Sequence, residues 1–288
     1  MEARMRQYLM RFRFLLLALL LIATLTACSD SDDSVSDSSY GNHIALTGED
    51  NMRDLGGYES KSGGTVKYQK LLRSGELSAL TDADKEIMTK LGVKQVIDLR
   101  TDSEATEKPD TLPAGITSYH ISLIDGDLSS SASNQMMADI MSGALDAKEY
   151  MMQTYVIDDT KIEGWKKIFD LLETGNTTLW HCTAGKDRAG MTTALVLLSL
   201  GVDEDTVVAD FMKSNDYLAN YISSTVAYMD SQYGAGVGER LVPLLGVEQV
   251  YIETFLADIK SKYGSVDAFL DVLGVDKDKM RRNFIEYR

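Results

Sequence analysis

The 288-residue chain is poor in proline, cysteine and histidine, with 3, 2 and 3 of each. So few prolines, beside 22 glycines, exclude collagen-like and proline-rich disordered architectures. The two cysteines, Cys28 and Cys182, lie too far apart in sequence, and in surroundings too unlike, for a disulfide framework or a zinc cluster. His43 and His120 show no metal-ligand spacing with each other or with acidic residues, and His181 adjoins Cys182, so no metal site is expected. Positive charge is also scarce. The balance of 29 Lys+Arg against 44 Asp+Glu gives −15, an acidity that repels phosphate backbones and argues against nucleic-acid binding. Any anion the protein holds therefore needs a local site. What is present is 44% hydrophobic and 25% charged residues, enough at this length for a real core in one large domain or two small ones.

Residues 1–27 carry Arg4, Arg6, Arg11 and Arg13 ahead of an apolar run from Phe14 to Ala23. That is the order of a secretory signal, and the run is shorter than the roughly 20 residues needed to span a bilayer. It ends in Leu25-Thr26-Ala27-Cys28, which resembles the lipobox of bacterial lipoproteins, so Cys28 is expected to carry a lipid and tether an exported protein to the cell envelope, with the outer membrane as its place. The segment ahead of Cys28 contributes +3, which leaves −18 on the remainder. Residues 28–43 follow as a flexible acidic Ser/Asp tether with too little apolar surface to fold. Residues 44–288 show no internal repeat or second linker and read as one catalytic domain.

In that domain Thr81 to Asp84 matches a capping box, Ile87, Met88 and Leu91 share one helix face, and Gly92 sits where a helix ends. Val93 to Leu99 reads as a buried strand, and Tyr119, Ile121 and Leu123 alternate as in a half-exposed one. Trp165, Ile168, Phe169 and Leu172 form a helical stripe ending at Gly175. Thr177 to His181 is a short strand and Gly190 to Leu200 a buried helix. From Glu204 on, several helices break near Asn215-Asp216 and Tyr263-Gly264-Ser265. The class is α/β, a mostly parallel sheet flanked by helices with helical additions toward the C-terminus.

Between the strand and the buried helix lies Cys182-Thr183-Ala184-Gly185-Lys186-Asp187-Arg188. A loop opening a helix binds anions, because its N–H groups converge at an electropositive helix end. The same field favours a thiolate at Cys182, which His181 can help to orient, and Arg188 can grip two oxygens of a tetrahedral dianion. Thr183 to Arg188 are thus the candidate phosphate-binding residues, and phosphoryl transfer to sulfur is the implied reaction.

The string His181 to Gly190, HCTAGKDRAG, resembles the HCxxGKDR loop of the bacterial tyrosine-phosphatase-like branch of the cysteine-dependent phosphatases. Asn51 to Tyr58 is similar to that family's NxRDLGGY element, Leu72-Arg73-Ser74 and Val96 to Arg100 to its RS and DLR elements, and Phe211 to Asp216 to its post-loop junction. The resemblance implies the cysteine-phosphatase fold and hydrolysis of phosphorylated proteins through a cysteinyl-phosphate, with no metal or cofactor. It implies Asp98 as the acid for the leaving oxygen, with Asp125, Asp127 and Asp187 as alternatives. Lys186 resembles a loop cation of phosphoinositide phosphatases, the alternative being a pair with Asp187 or Asp54. Arg53 and Asp54 are expected to brace the loop or flank the pocket, or else to form a surface ion pair. Ala189 departs from the usual Ser or Thr, so hydrolysis of the intermediate is slower unless Thr192 or Thr193 substitutes. A sulfurtransferase and a phosphate-binding module with little turnover are the competing readings.

Overall fold

The computed structural model describes residues 42–124 and 131–287. The leader, Cys28, Asp125 and Asp127 lie outside the described residues. Among the described residues no helix is long and apolar enough to cross a membrane. Asn42 and His43, assigned to the tether from sequence, already join the folded part, since His43 bridges Arg53 and stacks on Tyr217 at 4.3 Å.

The chain runs through β1 (Arg53–Asp54), β2 (Thr65–Val66), β3 (Leu71–Ser74), α1 (Asp82–Lys90), β4 (Gln95–Asp98), α2 (Asp102–Glu107) and β5 (Thr117–His120). Next come α3 (Ser131–Ser142), α4 (Ala147–Thr154), α5 (Ile162–Leu172), β6 (Thr178–His181) and α6 (Arg188–Ser199). The rest is helical: α7 (Glu204–Met212), α8 (Ser214–Tyr217), α9 (Ala219–Tyr233), α10 (Val242–Leu245), α11 (Gln249–Tyr263), α12 (Val266–Val272) and α13 (Lys277–Phe284). The strand β7 (Ile285–Glu286) closes the described chain by pairing with β2.

The main sheet has the order β1-β3-β6-β4-β5, with β3, β6, β4 and β5 parallel and β1 antiparallel at one edge. Strand alternation divides the core. Leu72, Val96 and Leu179 pack with Met88 of α1 on one face, while Leu71, Ile97 and Trp180 pack on the other with α5, α6 and α11. Helix α1 opens with the expected capping box on Thr81 and Asp84, and Gly92 follows it at φ +71°, which a side chain would resist. Helix α5 buries Trp165, Ile168, Phe169 and Leu172, as its spacing predicted.

One strand differs from the sequence reading. The segment with Tyr119, Ile121 and Leu123 pairs only over Thr117–His120, an edge strand exposed along its whole length. Past His120 the chain leaves the sheet, and Ile121 and Leu123 cover Gly164 of α5. Their alternation reflects packing on a helix rather than continued pairing.

Candidate active site

Strand β6 lies between β3 and β4, and its register sets His181 beside both Ser74 and Asp98. The segment after it therefore leaves the C-terminal edge of the sheet at its centre, where α/β sheets bind ligands. The turn needs Gly185, whose φ is +70° and whose missing side chain would come within 2.4 Å of the Ser74 backbone. Cys182, at the base of the loop, is 1% exposed.

Four successive loop carbonyls are tied to donors outside the loop. Thr183 O accepts from Glu76 N at 2.9 Å, Ala184 O from Asn51 Nδ2 at 2.9 Å, and Gly185 O and Lys186 O from Arg73 Nη2 at 2.7 and 3.2 Å. Because a trans peptide directs its C=O and the following N–H to opposite sides, these ties turn the N–H groups of Ala184, Gly185, Lys186 and Asp187 the other way. The start of α6 also lacks a side-chain cap, which leaves its first N–H groups for an anion.

Arg188 closes the cup. Its Nη1 and Nη2 donate to Glu104 Oε2 at 2.6 Å and Oε1 at 2.9 Å, a two-point grip from the first turn of α2. Thr183 Oγ1 donates to the same carboxylate. Burial pushes the Glu104 carboxyl up, but the bonds and charge of Arg188 overcome this and hold it at about 2. Glu104 thus takes the end of the guanidinium and not its Nε edge. Glu104 was missed from sequence. Thr101-x-x-Glu104 is a capping box, a signal that locates the helix start but not what the carboxylate faces.

Asp98 does not face the loop as a free carboxyl. Its two oxygens accept from Arg100 Nε at 2.9 Å and Nη2 at 2.7 Å, and although burial opposes it, these bonds and the nearby His181 lower its pKa. A carboxylate fixed in that state is poorly suited to donate a proton, which counts against the acid role expected for it. Arg100 Nη2 also reaches Asp110 Oδ1 at 2.8 Å. His181 presents Nε2 to Asp110 Oδ2 at 3.0 Å and Nδ1 to the Cys182 carbonyl at 3.2 Å, which orients the backbone at Cys182. Asp98, Asp110 and His181 bring three ligand-type atoms together, but the Arg100 guanidinium already fills the space between the two carboxylates.

Lys186 takes the pairing weighed as its alternative: Nζ lies 3.0 and 2.9 Å from the two oxygens of Asp187. Asp54 instead accepts from Gly56 N and Gln69 N at 2.9 and 2.8 Å, bracing a turn away from the pocket. Tyr155, buried after α4, donates its hydroxyl to Asp187 Oδ1, and burial and that carboxylate hold the phenol protonated. Arg53 is no surface ion pair with Asp54. It is fully buried against Asp210 of α7, 3.2 Å away, and donates to Asn51 Oδ1 at 2.6 Å, so it braces the loop through Asn51. The hydroxyls of Thr192 and Thr193 donate to Arg188 O and Ala189 O at 2.9 and 2.7 Å. Both are spent on their own helix, which counts against either standing in for the hydroxyl absent at Ala189.

A model of the tyrosine phosphatase family matches residues 44–286. A Cupriavidus necator protein named as a tyrosine-protein phosphatase is 30% identical over 86% of this chain and 90% of its own. The triple specificity protein phosphatase PtpB of Mycobacterium tuberculosis is 28% identical over 82% and 96%. Among solved structures, P. aeruginosa TpbA in complex with phosphotyrosine overlaps 86% of this chain and 97% of that one at 14% identity and a TM-score of 0.35.

Proposed function

Because the chain belongs to the tyrosine phosphatase family, hydrolases of phosphomonoesters, we propose that it cleaves them through a cysteinyl-phosphate on Cys182, with phosphotyrosine in proteins as the main substrate. The observation that carries this reading is the cup itself: a thiol at its base, amides turned inward by four anchored carbonyls, and Arg188 held at its rim. The Cys182 sulfur attacks phosphorus as the bond to the leaving oxygen breaks, and water then attacks phosphorus and returns the thiolate. The amides and Arg188 stabilise the charge spread over the phosphoryl oxygens. Phosphoserine, phosphothreonine and phosphoinositides are within the same chemistry, and the triple specificity named for the M. tuberculosis relative supports that breadth.

For the leaving oxygen, Asp187 is favoured over Asp98. Asp187 is 27% exposed beside the cup, whereas Asp98 is committed to Arg100. An entering dianion draws Lys186 toward its oxygens and leaves Asp187, with only the neutral Tyr155 hydroxyl beside it, to carry the proton. Turnover of p-nitrophenyl and phenyl phosphate by four proteins tests the assignment. Cys182→Ser is expected to be inactive on both. Asp187→Asn should lose far more on phenyl phosphate, whose leaving group needs the proton, while Asp98→Asn keeps the wild-type ratio. The opposite pattern would return the role to Asp98, and thiosulfate turnover without phosphatase activity would replace the whole reading with sulfur transfer.

Export and lipid anchoring through Cys28 complete the proposal, supported by the signal-like leader and Leu25-Thr26-Ala27-Cys28. Cys28→Ser should move the protein from the membrane fraction to the soluble one; retention in membranes would refute a lipid anchor there.

A further inference from the structure

Arg73, in β3, is fully buried, and it holds two of the four anchored loop carbonyls. Its Nη2 reaches two successive loop carbonyls, Gly185 O at 2.7 Å and Lys186 O at 3.2 Å, while Nη1 reaches Asp210 Oδ2 at 3.0 Å. Its buried Nε has no hydrogen-bond partner among the described residues. Leaving a buried N–H unpaired is costly, so this placement is set by what the other two nitrogens hold.

Two further features shape the position. At Gly190 a Cβ would come within 3.2 Å of Arg73 Nη2 and 2.8 Å of Phe211, so a residue without a side chain leaves room for the fork. Asp210 is itself fully buried and also takes Arg53 Nε at 3.2 Å and the Tyr58 hydroxyl at 2.8 Å. Burial would raise its pKa, but the charges of Arg53 and Arg73 lower it. Two guanidiniums against this one carboxylate leave an excess of positive charge beneath the loop.

We infer that Arg73 is a positioning residue of the phosphate cup, fixing the Gly185 and Lys186 carbonyls outward so that the Lys186 and Asp187 amides face the phosphoryl oxygens. The inference rests on the phosphatase reading and deepens it. Amides held in one orientation suit the five-coordinate transition state more than a bound ground-state phosphate, because its three equatorial oxygens flatten into one plane, whereas those of a tetrahedral phosphate stay pyramidal. Lysine is no substitute, since a single ammonium lacks the planar fork that spans two carbonyls and Asp210.

The test compares vanadate, which takes up five-coordinate geometry, with inorganic phosphate as protectors of Cys182 against iodoacetamide, a readout that needs no turnover. In Arg73→Met, vanadate protection is expected to weaken about 30-fold and phosphate protection less than about 5-fold, with kcat lowered and KM little changed. Arg73→Lys should fall between this variant and the wild type. Equal losses for the two anions, or none, would overturn the inference. Should Arg73→Met fail to fold by circular dichroism, Arg73→Lys carries the same comparison. A wild type that vanadate does not protect would instead remove the phosphatase reading, and the inference with it.

Discussion

Arg188 and Glu104 lie 84 residues apart in the chain, yet they form the two-point grip that fixes the orientation of the site's arginine. Replacing the carboxylate with an amide, Glu104→Gln, keeps the shape but removes the charge and one of the two acceptors. Charge-assisted hydrogen bonds contribute about 1.5–3 kcal/mol, so kcat/KM should fall about 10- to 100-fold, and phosphate should inhibit more weakly. Steady-state kinetics on p-nitrophenyl phosphate read both, and a wild-type kcat/KM would refute the positioning role. At this scale the sequence made Cys182 and Arg188 legible, because their spacing is local to one loop. Glu104, Asp110 and Tyr155 were not, and Arg73 showed only as part of a motif without its task, since each acts on the loop from another part of the chain. Asp98 shows the converse: the strand-end position was read correctly, but its partner two residues on, Arg100, decides what the carboxylate can do.

The proposed site is built on β6, its loop and α6. The strand and helix were legible because a β-branched and aromatic run followed by an apolar run admits little else. The loop's curvature depends on Gly185, and Gly185→Ala sets a Cβ against the Ser74 carbonyl at 2.4 Å while forcing alanine to φ +70°. Neither the β3 backbone nor the left-handed conformation yields cheaply, at about 1–3 kcal/mol for the latter alone. The variant is expected to lose most of its turnover and several degrees of melting temperature; wild-type values for both would show that the loop tolerates a different turn. The β5 segment was misjudged at this same scale. Alternation of apolar residues is equally a mark of pairing in a sheet and of packing on a helix, and only the presence of α5 beside it separates the two.

Across the whole molecule, the buried carboxyls divide by what surrounds them. Asp210 meets two guanidiniums and stays ionised, while Glu49, buried beside the loop, meets the N–H groups of Gly75 and Asn51 and leaves Oε2 without a hydrogen-bond partner among the described residues. Burial outweighs those two hydrogen bonds and pushes Glu49 up from 4.5 to about 7. Between these values the folded protein keeps a proton that the unfolded chain has released. The stability from Glu49 is therefore full below pH 4.5 and is lost as pH rises through about 7, a change of roughly 3 kcal/mol. Urea midpoints at pH 5 and pH 8 should differ by that contribution in the wild type and much less in Glu49→Gln. Equal differences in the two proteins would show that Glu49 is not the linked group.

By itself, the sequence determined the α/β class, the helix caps and the family's loop, and it singled out Cys182 and Arg188 as candidates, all carried by short-range patterns of residue type. The tertiary structure decided the rest: which carbonyls of the loop are tied back, which carboxylate holds Arg188, and why Asp98 is spoken for. The physical reason is that an anion cup is made by orientation as much as by residue type. Orientation here comes from Arg73, Asn51, Glu76 and Glu104, residues brought to the loop only when β1, β3 and α2 gather around the end of β6. The scarcity of positive charge has the same resolution. An acidic chain at −15 can hold phosphate because folding buries Arg53, Arg73 and Arg188 around one loop, two of them sharing a single buried carboxylate.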